Sequence, residues 1–227
     1  MALLGTAALA MWWEVAAPMR SDFEHWHTHE HFQERLGVPG FCRASRWTSA
    51  DGGSGIFVMY ELVDYGVLQS PAYLARLNAP TPWSTRMMPE HRNMVRSQCR
   101  VLESRGLATA RLALTLRLSP AHGRDADLRE GLRALVETLP AQRGLAGLHL
   151  LRHEAPQIAP TEEQKIRGNA DRFADWVLVV HGYEADALMA LSADALADAA
   201  LLSMGAAAGT QRALYALSCS ATPPDMG

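Results

Sequence analysis

Cysteine is scarce in this chain: Cys42, Cys99 and Cys219 are its three thiols. They lie far apart, their number is odd, and they form no CxxC and no His/Cys finger spacing, which excludes a disulfide scaffold and a zinc finger. Reduced thiols in the cytoplasm are the expectation. A basic excess is also missing. The formal net charge is -3, without the cationic stripe that nucleic acid or an anionic membrane demands, so neither is expected as a partner. No apolar run approaches the ~20 residues that cross a bilayer. Residues 1–10 are apolar but carry no basic n-region, and they continue unbroken into Met11-Trp12-Trp13-Glu14-Val15. They read as the lead-in to a buried strand rather than as a signal peptide. GxGxxG, Walker and GxSxG loops are absent, which removes support for nucleotide binding at such loops and for an α/β-hydrolase.

What is present is an ordinary globular balance, 48% hydrophobic and 20% charged over 227 residues, enough for one large domain or two of roughly 110 residues. The first half reads as a strand (8–15), then a helix capped by Ser21 or Asp22 and running to Leu36, where Gly37-Val38-Pro39-Gly40 stops it. Strands at 41–47 and 56–63 flank a Gly/Ser/Asp-rich turn, a helix follows at 70–77, and 93–103 is a fourth strand after a Pro-rich break. The second half repeats this order. A strand at 108–118 alternates Leu112, Leu114, Leu116 and Leu118, and a helix carries Leu128, Leu132, Leu135, Val136 and Leu139 on one face. Strands at 145–153 and 173–181, a helix at 185–202 and a strand at 211–218 complete it.

The order β-α-β-β-α-β occurs twice, which predicts an α+β protein of two tandem ferredoxin-like repeats, residues 1–105 and 106–220, with a flexible tail at 221–227. Each antiparallel sheet would carry helices on one face and cover its neighbour with the other.

The densest chemistry is Glu24-His25-Trp26-His27-Thr28-His29-Glu30-His31 in the first helix. At 100° per residue, Phe23, Trp26, His27, Glu30 and Glu34 fall on one side with His31 on its flank. Phe23 and Trp26 should face the sheet and draw His27 and Glu30 toward the same cleft, or leave them solvated at the helix edge. A buried carboxylate needs a partner, water or a raised pKa. The matching helix of the second repeat carries Leu, Ala and Val and neither His nor Trp, which favours one specialised pocket in the first half. His27/His31 and His25/His29 have zinc-compatible spacing, yet no HExxH and no third ligand accompany them, so no metal is expected. Acid–base work suits histidine better. Tyr60 and Glu61 adjoin on a strand, so one of them can face the cleft. Trp83 is a packing anchor or a pocket lid, and 154–171 is a flap or a plain surface loop. His149, His153 and His181 read as satisfied or solvent-edge histidines.

The run Trp26-His27-Thr28-His29-Glu30-His31-Phe32-Gln33-Glu34-Arg35-Leu36-Gly37-Val38-Pro39-Gly40-Phe41 resembles the W-x-x-x-E-H-x-x-E-R-L-x-V-P-G-F signature of EthD-like proteins. Ser70-Pro71-Ala72-Tyr73-Leu74 and Pro80-Thr81-Pro82-Trp83 are similar to later segments of a duplicated, uncharacterised branch of that superfamily. The resemblance implies a dimeric α/β-barrel, here closed within one chain, and points to His31 as the matching candidate histidine. Phe32-Gln33 stand where Leu-Pro often follows that histidine, so the helix is expected to run on past it. The superfamily hosts isomerases, cyclases, monooxygenases, haem proteins and members without activity, and fold alone does not choose among them.

Two functions are therefore carried forward. The first is a small-molecule enzyme acting on an apolar or aromatic, polyketide-like substrate. His31 would move a proton, Glu30 or His27 would tune it, and Trp26, Tyr60 and Trp83 would shape the pocket, with no cofactor; haem is the alternative. The second is a ligand-binding or structural protein without catalysis, in a packed barrel lacking a pocket near ~300 Å³. An intrachain barrel removes the usual need for a homodimer without forbidding one.

Overall fold

A computed structural model of the chain describes residues 3–106, 108–168 and 172–223. The first half comprises β1 (Ala7–Glu14), α1 (Arg20–Trp26), a π-helical turn (His27–His31), α2 (Phe32–Leu36), β2 (Phe41–Ser49), β3 (Gly55–Leu62), α3 (Pro71–Leu77), α4 (Pro82–Met87) and β4 (Arg92–Gly106). The second comprises β5 (Leu112–Leu118), α5 (Asp125–Thr138), β6 (Leu145–His153), α6 (Glu162–Arg167), β7 (Trp176–Gly182), α7 (Ala185–Ala193), α8 (Asp198–Met204) and β8 (Gln211–Ala221). The strands close into one barrel in the order β1-β3-β2-β8-β5-β7-β6-β4. Every neighbouring pair is antiparallel. Each half shows the ferredoxin-like order, and the seams between halves are β2–β8 and β4–β6. Of the tail expected at 221–227, residue 221 ends β8 and 224–227 lie outside the described residues.

Strand faces explain the composition. Leu9, Met11 and Trp13 of β1 pack under the first-half helices, whereas Ala8, Ala10 and Trp12 point into the barrel. A strand covered on both faces has no reason to alternate with polar residues, and β1 reads as a continuous apolar run. In β5 the alternating leucines meet the second-half helices, and Ala113 points inward. The barrel is filled rather than hollow at its aromatic end. Phe57 stacks between Trp12 and Trp47, with ring centroids 5.0 and 5.1 Å away. Trp12 Nε1 donates across the barrel interior to Thr115 Oγ1 at 3.2 Å.

The other end of the interior is polar. Arg43 Nε lies 3.5 Å from Glu61 Oε1, Ser104 Oγ and His149 Nδ1 are hydrogen-bonded at 2.8 Å, and the His181 ring centroid is 5.4 Å from that of His149. Glu61 therefore faces the barrel while its neighbour Tyr60 faces the first-half helices, as strand geometry requires. His149 and His181 are fully buried rather than at a solvent edge.

Three sequence expectations need correction. The helix expected at 185–202 is two helices, bent by 58° where the chain turns to bury Leu196. The polar connection 154–171 contains α6, opened by a capping box in which Thr161 and Gln164 exchange side-chain and backbone contacts; residues 169–171 lie outside the described residues. The first helix runs on past His31, as expected, but through a π turn. Gly40 of the Val-Pro-Gly-Phe run has φ +96°, and a Cβ there would sit 2.4 Å from Val67 Cγ2, so only glycine suits that turn. No single helix among the described residues is long and apolar enough to cross a membrane.

Trp47 is fully buried at one end of the aromatic stack. Trp47→Ala should lower unfolding stability by ~3–5 kcal/mol in urea melts, the usual cost of emptying so large a core site.

Candidate functional site

A hollow lies between the α1–π–α2 rod and the first-half sheet. The rod is fastened by apolar burial, Phe23 and Trp26 being fully buried on its inner face. The π turn adds a residue to the helical repeat at His27–His31, a distortion that often re-aims side chains at functional sites. His27 and His31 both reach the hollow, with ring centroids 5.4 Å apart. Tyr60 of β3, Trp13 of β1, Tyr73 of α3 and His91 before β4 complete its walls, and Arg35 of α2 joins them. The roof comes from the other half: Ile158, Thr161, Glu163, Gln164 and Arg167 of the β6–β7 connection.

Glu30 is placed elsewhere. Its Oε1 accepts from Trp26 Nε1 (3.0 Å), Thr81 Oγ1 (2.6 Å) and Ser84 Oγ (3.3 Å), tying the rod to the start of α4. The expectation that burial draws it toward the cleft beside His27 is corrected: three hydroxyl and indole donors hold it sideways. Trp26 stands behind His31, ring centroids 4.6 Å apart, and does not line the hollow. Trp83 lies outside it, against His25 at 5.4 Å, so it is no lid. The carboxylate nearest His31 is Glu34, whose Oε2 is 3.5 Å from His31 Nδ1. The sequence reading also missed His91, Trp13, Arg35 and Glu163. Thr161-Glu162-Glu163-Gln164 carried a legible signal, the capping-box spacing of a helix start.

The electrostatics follow from burial. His27, His31 and His91 all titrate below the ordinary histidine range. For His27 the causes are burial, then His31 and Arg46; for His31, burial, then Arg35 and His91. His91 is pushed down to about 3 by burial and then Arg167. All three rings are thus neutral near pH 7. Arg46 Nη1 lies 3.4 Å from His27 Nδ1; a guanidinium only donates, so Nδ1 accepts and the ring proton sits on Nε2. Burial raises the Tyr60 phenol far above its ordinary value, leaving it a neutral donor. Several buried polar atoms around the hollow have no hydrogen-bond partner among the described residues: Trp13 Nε1, His31 Nδ1, Arg35 Nη1, Tyr60 Oη and both His91 nitrogens. Such atoms are costly unless a ligand or solvent meets them. The closed hollow has a volume of about 40 Å³, whereas a groove outside the roof, sharing Arg96, Ile158 and Gln164 with it, opens to about 720 Å³.

Among the described residues no group of three His, Cys, Asp or Glu side chains is placed to hold a metal. His25 and His29 pack ring to ring at 4.5 Å, with His29 exposed, away from the hollow.

The whole chain superposes on several solved structures. One is a candidate monooxygenase from Fusobacterium nucleatum (TM-score 0.61, 14% identity, 97% of this chain and 96% of that one). A second, from Lactobacillus acidophilus and described in the same terms, gives TM-score 0.60 at 6% identity, covering 96% and 97%. An anthrone oxidase-like protein gives 0.62 at 11% identity, covering 97% and 94%. These likenesses define the fold: two ferredoxin-like repeats closed as a dimeric α/β-barrel in one chain. No protein-family model and no curated protein matches the sequence.

The buried imidazoles make folding acid-sensitive. A histidine with a lowered folded pKa costs nothing above its unfolded value near 6.5, and it destabilises the fold progressively as pH falls below that value, by ~1.4 kcal/mol per unit. His91→Asn should therefore lose less stability than the parent between pH 7 and pH 5, by about 2 kcal/mol in urea melts.

Proposed function

We propose that the protein is a small-molecule enzyme of EthD-like type that moves a proton on an apolar, aromatic substrate. The observation that carries this reading is the convergence of two π-turn histidines, neutral at working pH, with the unpartnered Tyr60 hydroxyl on one hollow. His31 takes a proton from an activated C–H or O–H of the substrate, and the nearby Glu34 carboxylate favours the imidazolium so formed. The Tyr60 hydroxyl donates to the oxygen on which negative charge develops. His27, its tautomer set by Arg46, holds its N–H toward the same space and positions the reacting group. Glu30 and Trp26 act through the rod, keeping the π turn in place. The likeness to an anthrone oxidase-like protein and to candidate monooxygenases supports a polycyclic ketone or phenol as substrate class. The three unpaired cysteines suit a reducing, cytoplasmic setting.

The reading needs no prosthetic group. On this reading the purified protein should show no Soret absorbance.

The small volume of the hollow, about 40 Å³, favours a second reading, a ligand-binding or structural protein without turnover. Deuterium exchange at the acidic methylene of anthrone, followed anaerobically by NMR, separates the two. The enzyme reading expects acceleration by the parent protein and a loss of ~10²-fold or more in His31→Ala, in line with a positioned base. The melting temperature of His31→Ala should stay near the parental value. Equal exchange by parent and variant would overturn the enzyme reading, and ligand-raised melting without exchange would support the binder.

A further inference from the structure

One ion pair crosses between the halves at the hollow. Arg35 of α2 and Glu163 of α6 are hydrogen-bonded through Nη2 and Oε1, with side chains only 3% and 5% exposed. Around it the hollow holds several unpartnered donors and, besides the imidazole nitrogens, few acceptors. Arg35 Nη1, Tyr60 Oη and Trp13 Nε1 are buried without partners among the described residues. Glu163 is the one carboxylate on the wall of the closed hollow among the described residues. Its carrier, α6, is a short helix behind a proline-containing stretch without regular structure. The ties of that connection include Tyr65 Oη to the Glu154 carbonyl, the exposed Arg100–Glu154 pair, the Glu154 N–H donating to the Gln98 carbonyl at 2.8 Å and the Glu162 N–H donating to Asn78 Oδ1 at 3.1 Å.

We propose that Glu163 is a built-in stand-in for the anionic oxygen of the ligand. On this inference, which rests on the site described under Proposed function and names its ligand class, the hollow takes an acidic aromatic molecule: a carboxylate, phenolate or enolate. The ligand enters from the outer groove, its anionic oxygen replaces the Glu163 carboxylate on Arg35, and the 155–167 segment is displaced to make room. Exchange of one carboxylate for another keeps a buried guanidinium paired throughout. An uncharged ligand that displaced Glu163 would leave Arg35 buried without a counter-charge, a strongly unfavourable outcome. Charge selectivity thus comes from what the wrong ligand leaves unpaired.

The test uses the full chain with 1-naphthoate and its uncharged analogue 1-naphthamide in calorimetry. Glu163→Gln removes the competitor and should bind 1-naphthoate about tenfold tighter than the parent. The double variant R35M/E163Q removes both charges, which often leaves a fold intact. It should lose that gain for 1-naphthoate while holding 1-naphthamide as E163Q does. In the parent protein, saturating 1-naphthoate should speed amide hydrogen exchange over residues 162–167. Unchanged or weaker 1-naphthoate binding in E163Q, equal loss of both probes in the double variant, or unaltered exchange over 162–167 would each overturn the inference. The anthrone measurement separates it from the proton-transfer reading. Exchange lost in His31→Ala with no 1-naphthoate effect sinks the stand-in alone; 1-naphthoate displacement in a protein indifferent to His31→Ala sinks proton transfer alone.

Discussion

Closing two four-stranded sheets edge to edge buries both faces of most strands, β8 and the ends of β4 excepted, and that constraint governs the rest of the molecule. A strand such as β1 or β7 must supply two buried surfaces at once, one for the barrel and one for the helices. Small residues at Ala8 and Ala10 make room for Trp12, Trp47 and Phe57 inside. Larger ones at Leu9, Met11 and Trp13 fill the helix side. A polar group placed in either layer is desolvated by construction. This is why five histidines, His27, His31, His91, His149 and His181, all titrate low, burial being the first cause for each. Neutral imidazoles follow from the architecture rather than from dedicated local partners.

Much of this was legible in the residues. The duplicated order showed because helical and strand periods alternate clearly, as in the Leu112–Leu118 run and the Leu128–Leu139 stripe. His27, His31 and Tyr60 were found because they lie on elements with a defined inner face. Glu30 was misplaced because an ideal 100° turn was assumed, and a π turn breaks that arithmetic. No local pattern announces such a turn; it is settled by what Trp26, Thr81 and Ser84 offer the carboxylate. Arg35 and Glu163 were missed for another reason. They are 128 positions apart, and a single sequence carries no sign that a loop of one repeat will roof the cleft of the other.

The chemistry of the hollow rests on imbalance. Its walls offer donors, aromatic faces and neutral bases, with a lone carboxylate supplied from across the seam. In the second half the corresponding helix–sheet layer is closed by Leu128, Leu132, Val136 and Leu188, leaving nothing to react. The two repeats share a backbone plan and have divided labour, one holding reactive groups and the other a solid core and the cover.

That division has a counterpart in hairpin length. The β2–β3 turn spans only residues 50–54, while its equivalent between β6 and β7 extends from 154 to 175. A true twofold assembly of identical repeats would present two equivalent chambers. Lengthening a single hairpin breaks that symmetry and leaves a stoichiometry of one roofed chamber per barrel, its cover lent by the opposite repeat.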